Sequence, residues 1–65
     1  MTIDNQPLTI GEVVFWDEPD GIRAGIVQEF DTQTILCKTV SERVGQKVRK
    51  RPQDLRFHSH KRQAS

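Results

Sequence analysis

The sequence predicts a small all-β domain, a barrel or sandwich of short strands. Apolar residues recur with a period of two rather than 3.6, the repeat of a strand and not of a helix. β-Branched and aromatic residues dominate those runs. Turn signals interrupt them about every eight to twelve residues, the spacing of a small barrel or sandwich. Closure would remove the exposed sheet edges that so short a chain tolerates badly.

Residues 1–7 read as a loose N-terminus and residues 58–65, "HSHKRQAS", as a disordered basic tail with no apolar member larger than alanine. The domain proper is expected over 8–57. "EVVFWD" (12–17) is a strand with Val13 and Phe15 on one face and Val14 and Trp16 on the other, both partly covered. "EPDG" (18–21) joins a proline to Asp-Gly and turns the chain. In "IRAGIVQEFD" (22–31) Ile22, Ala24 and Ile26 alternate with Arg23 and Gly25, and Gly25 is the expected bend, because a lone glycine in a strand marks a bulge or a close backbone approach. "DTQT" (31–34) is a hairpin connection. "TILCKTV" (34–40) is a strand in which either Leu36 and Val40 or Ile35 and Cys37 face the core. "SERVGQ" (41–46) turns the chain again, with Gly45 at positive φ. "KVRKR" (47–51) alternates Val48 with bases and stops at Pro52, which cannot donate to a ladder. "PQDL" (52–55) is one tight helical turn begun by proline, and Leu55 and Phe57 close the core from a short final strand.

A chain of 65 residues buries only about 60% of the surface its unfolded form exposes, so packing must be efficient or assisted. Cys37, the single cysteine, excludes an intrachain disulfide, and with His58 and His60 it does not make a four-ligand zinc set. No apolar run reaches the ~20 residues that span a bilayer, and "MTIDNQPLTI" lacks the basic start and apolar centre of a secretory signal. A soluble cytoplasmic protein is the expectation, with no membrane partner.

The net charge of +1 conceals a strong asymmetry. Up to Leu36 there are seven acids against Arg23 alone, net −6; from Cys37 onward there are nine bases against Glu42 and Asp54, net +7. Such a division marks either an anionic partner or two halves that face each other in the fold.

The order of elements resembles an SH3-like small barrel of the Tudor or KOW type. The resemblance is carried by "LTIGEVVFW" (8–16), by the glycine-containing "AGIVQEF" (24–30), and by "KVRKRPQDLRF" (47–57), which is similar to a fourth strand, a one-turn helix and a last strand. It implies a five-stranded barrel with a one-turn helix before the final strand. Such barrels bind nucleic acids or peptides or serve as subunits of assemblies, so fold alone does not choose among them. A proline-peptide groove is rich in tyrosine, of which this chain has none, and a methyl-lysine cage would need aromatics that the core also requires. The type II dihydrofolate reductases share this fold, but their Val-Gln-Ile-Tyr run corresponds here to "KVRK" (47–50), and that activity is not carried over.

The basic cluster is the main candidate site. On a strand Lys47, Arg49 and Arg51 share one face, about 6–7 Å apart, while Val48 and Lys50 share the other. With Arg56, Lys61 and Arg62 they could follow a phosphate backbone; the alternative is a strand edge guarded by charge. Val14 and Trp16, if they lie outside while Val13 and Phe15 lie inside, form an apolar patch that a protein partner or a second copy would cover. Asp17, Glu18 and Asp20 flank a turn without the spacing of a calcium loop. No catalytic constellation, metal site, cofactor or small-molecule substrate is indicated. The reading is a non-enzymatic module that binds nucleic acid non-specifically through a basic strand and tail, the alternative being a protein-interaction adaptor or a subunit of a larger assembly, with a homo-oligomer as one form of it.

Overall fold

The computed structural model describes residues 2–40 and 43–58, which are all-β apart from one turn of 3₁₀ helix. Two antiparallel sheets form. A short hairpin pairs β1 (Thr2–Ile3) with β2 (Gln6–Pro7), and a four-stranded meander runs in the order β3 (Val13–Glu18), β4 (Gly21–Phe30), β5 (Ile35–Thr39), β6 (Lys47–Lys50). Neither sheet closes into a barrel. The expected last strand is present as a single bridge, in which Phe15 and Arg56 exchange backbone hydrogen bonds of 2.8 and 2.9 Å.

The N-terminal hairpin departs from the loose segment expected over 1–7. Asp4 and Asn5 both adopt positive φ, the conformation of a two-residue hairpin turn whose twist matches its strands. The turn brings Ile3 into the core, with Leu8 behind it. Asp4 also accepts a long 3.4 Å hydrogen bond from the Phe57 backbone, tying the two ends of the fold together.

Turn chemistry sets the meander. Glu18 pairs with Gly21 around Pro19 and Asp20, and Gly21 has the positive φ that favours glycine. Asp31 Oδ1 accepts from the backbone N–H groups of Gln33 (2.7 Å) and Thr34 (2.8 Å), which folds the β4–β5 connection. Gly45, expected at positive φ, is not there; a Cβ on it would stand 2.8 Å from the Thr39 carbonyl oxygen, so close approach explains this glycine. After β6 the extended Arg51 leads into the 3₁₀ turn Pro52–Asp54, whose proline opens the turn as the sequence predicts.

The core face of the sheet is built by register. Val14 pairs with Gly25, Val27 with Cys37, and Cys37 with Val48, so these residues and Trp16 and Ile35 point to one side. Leu55 is fully buried against them, and Val48 and Phe57 pack partly. The open choice for residues 34–40 is thus resolved in favour of Ile35 and Cys37. Gly25 is not the bend: the register shift falls between Val27 and Glu29, placing Gln28 at the bulge. Gly25 instead makes room for an indole. A Cβ there would lie 2.7 Å from Trp16 Cη2 and 3.1 Å from the Lys38 carbonyl oxygen.

Gly25→Ala is therefore expected to cost about 1–3 kcal/mol by overpacking, read as a lower urea midpoint with an unchanged m-value; an unchanged midpoint would refute the close approach. A second expectation concerns pH. The backbone N–H groups of Thr34 and then Gln33 hold the Asp31 carboxyl below its ordinary 3.8. A depressed folded value means that this turn's contribution is complete above about pH 4 and is lost as pH falls through the folded value. NMR titration of the Asp31 carboxyl should give a midpoint below 3.8, shared by the Gln33 and Thr34 amide shifts.

Candidate nucleic-acid interface

β6 forms one edge of the meander, and its alternation separates the basic residues. Lys47 and Arg49 are exposed, as is Arg51 just beyond the strand, whereas Val48 and Lys50 turn towards the core side. Lys47 and Arg49, expected on one face, share the outer face of β6; Arg51, expected with them, is exposed past the end of the strand. Each strand residue projects oppositely to its neighbour because the strand backbone is pleated.

The register adds a cation that sequence reasoning missed. Lys38 lies directly opposite Lys47 and is exposed on the same face. Such cross-strand partners have Cβ atoms about 4.5–5.5 Å apart, and like charges in that position are destabilising. Only the β5–β6 register brings the two together, which composition cannot reveal. Arg43, in the turn before β6, is exposed as well. Arg49 reaches Thr34 Oγ1 at 3.4 Å, and Arg51 lies 3.5 Å from Asp54 in a solvent-exposed pair worth little in stability.

Two members of the expected basic site belong elsewhere. Arg56 is only 6% exposed, and its guanidinium donates to both carboxylate oxygens of Asp17 at 3.0 Å while Nε donates to the His58 carbonyl. This is a fork-shaped structural clamp across 39 residues of sequence, not a free phosphate ligand. Lys50 stands 5.5 Å over the Trp16 ring, where a cation–π contact contributes about 0.5–1 kcal/mol. Lys61 and Arg62 lie outside the described residues.

Val14 and Trp16 are corrected outright as a surface pair. Both are buried, at 0% and 1% exposure, and the Trp16 indole N–H donates to Glu18 Oε1 at 3.1 Å. The register of β3 puts the opposite set, Val13 and Phe15, on the outer face. Trp16 therefore reports the state of the core and is not placed to stack on a base.

Beside the 3₁₀ turn an open cleft of about 560 Å³ is lined by Trp16, Lys50, Asp54, Arg56 and their neighbours. Its acids are already engaged, Asp17 by Arg56 and Asp54 by Arg51, so it offers no acid–base pair set apart by environment. Among the described residues no group of three or more metal-ligating side chains converges, and no helix is long and apolar enough to cross a membrane. Comparison with protein-family models, with curated proteins and with solved structures found no match.

Cys37 is fully buried between β4 and β6, and burial pushes its thiol up to about 11 despite the opposing influence of Lys50. A thiol so protonated and enclosed is a poor nucleophile. Native protein should therefore react with an aromatic disulfide reagent at pH 8 only as fast as it opens, with full reactivity in denaturant; a fast native reaction would place Cys37 at the surface.

Proposed function

We propose that the protein is a small SH3-like binding module, non-enzymatic, that grips nucleic acid without sequence preference along its β6 edge. The observation that carries this reading is the exposed row of Lys47, Arg49 and Arg51 with Lys38 opposite Lys47. Two lysines held face to face on a sheet oppose folding. An anion lying along the row would convert that cost into binding, because each phosphate neutralised releases counterions from the nucleic acid. The strand spacing of about 6–7 Å between alternate side chains suits a polyphosphate backbone.

The fifth barrel strand, in this reading, is the Leu55–Phe57 segment, whose bridge to Phe15 sets it against β3 as closure of such a barrel requires. Lys61 and Arg62 in the tail would add to the same electrostatic term. Arg56 would not, since Asp17 already neutralises it. Absence of base-reading geometry on this edge makes shape and charge the recognised features.

The test is fluorescence anisotropy of labelled single-stranded DNA, duplex DNA and RNA over a salt series. The triple variant Lys47→Gln, Arg49→Gln, Arg51→Gln should weaken binding at low salt and flatten the slope of log K against log salt by about 2–3 for duplex DNA. Trp16 emission should stay constant throughout, as befits a core residue. Unchanged affinity and slope in the triple variant would remove the β6 edge from consideration.

A further inference from the structure

The outer face of the meander is not the polar surface expected of an antiparallel sheet with one wet side. Val13, Phe15, Ile22, Ala24, Ile26 and Val40 lie on it, with Val13, Ile22 and Val40 each close to half exposed. Their grouping follows from register: Val13 pairs with Ile26, Phe15 with Ala24, and the Val40 amide donates to the Ala24 carbonyl. Contiguous apolar surface of this kind on a small protein marks a contact.

The face is divided. Its β3–β4 half carries two carboxylates, Asp17, which Arg56 meets at 3.0 Å, and Glu29, at the far end of β4 from Phe15 and opposite Leu36. Its β5–β6 half carries Lys38, Lys47 and Arg49. A polyanion has nothing to bind on the first half, and a second basic surface is repelled from the other. Within the apolar half, the large Phe15 side chain stands directly beside the small Ala24, a knob next to a hollow in one cross-strand pair. An isologous interface requires a surface complementary to itself, and a knob adjacent to its own hollow meets that requirement.

We propose that a second copy of the chain covers the β3–β4 half of this face, related by a two-fold axis parallel to the strands that passes between β3 and β4. Phe15 of each copy then seats over Ala24 of its partner, and Val13 of each faces Ile26 of the other. The sheets stack about 10 Å apart and within about 30° of parallel, the usual geometry of aligned sheets. Because the axis lies between β3 and β4, β5 of each copy faces the Leu55–Phe57 segment beside β3 of the other, and the two β6 strands overhang on opposite flanks, so Lys47 and Arg49 stay clear of the contact. The dimer stands on the apolar half alone and does not depend on nucleic-acid binding.

Sedimentation equilibrium of the full 65-residue chain across a wide concentration range tests it. The wild-type protein should reach a dimer. The double variant Val13→Gln, Ile22→Gln, uncharged and placed at positions 46% and 47% exposed in the single chain, should associate at least about tenfold more weakly. Ala24→Leu, which fills the hollow without adding polarity, should do the same, while the basic-strand triple variant should dimerise like wild type. Wild-type protein that stays monomeric throughout overturns the proposal, as does unweakened association in either face variant. Anisotropy on the Val13→Gln, Ile22→Gln protein separates the two readings: its affinity per chain for a short oligonucleotide should match wild type, whatever its oligomeric state.

Discussion

Trp16 lying across Gly25 is the contact on which the rest of the sheet depends. Tryptophan removes about 150–250 Å² from water, more than any other side chain here can, and the indole reaches its buried position because residue 25 has no Cβ to block it. That choice turns Trp16 and Val14 inward, and the period of two then dictates every other face. Val27, Cys37 and Ile35 follow along the antiparallel registers, and Leu55 fills the space beneath. Polar groups complete the site: Glu18 accepts the indole N–H, and Lys50 lays its cation over the ring. A one-residue slip in β3 would exchange the whole core face for Val13 and Phe15. Close fit at Gly25 therefore selects register as well as supplying burial.

The elements were largely legible in the sequence, and their orientation was not. Alternation and turn residues mark the strands 13–18, 21–30, 35–39 and 47–50, and proline marks the 3₁₀ turn. They do not say which parity of "VVFW" is inside, because all four residues are apolar and either face could serve. The deciding fact is the space over Gly25, a tertiary contact. The N-terminal hairpin escaped notice for a different reason. Asp4-Asn5 lacks the glycine of a typical primed turn, and the flanking strands are two residues each, too short for periodicity to register. Of the basic cluster, the exposed triad followed from strand alternation. Lys38 depended on cross-strand register, and the removal of Arg56 depended on Asp17, distant in sequence.

The sequence-level division of charge resolves into unequal parts. Asp20 pairs with Arg23 at 3.2 Å within the acidic half, and Asp54 with Arg51 within the basic half. The two halves meet at Asp17 and Arg56, where the chain returns from the 3₁₀ turn to β3. That pair is well placed to hold the return, since the guanidinium is nearly enclosed and its fork matches the carboxylate, yet Asp17 stays half in water and avoids the full desolvation cost of a buried ion pair. What remains uncompensated on the outer face is the β5–β6 strip. Glu29 lies on that face too, opposite Leu36, which pairs on its other side with Arg49.

On the proposed reading a single sheet of this size has two jobs that conflict if they share a surface. Apolar area must be withdrawn from water, since a chain of 65 residues has little core to spare, and a polyanion grip must stay in water to be reached. Segregating the two along the sheet, apolar residues at the centre of β3–β4 and cations on β5–β6, would permit both. A two-fold axis between β3 and β4 would bury the first kind of surface and present the second twice, on opposite flanks. Two weak, sequence-tolerant grips joined rigidly act on one long polyanion at high effective concentration, so affinity would rise steeply once the ligand is long enough to reach both strips and not before. Length dependence of that form is the signature that connects the proposed dimer to the proposed grip, and it arises from where the axis must pass rather than from any additional contact.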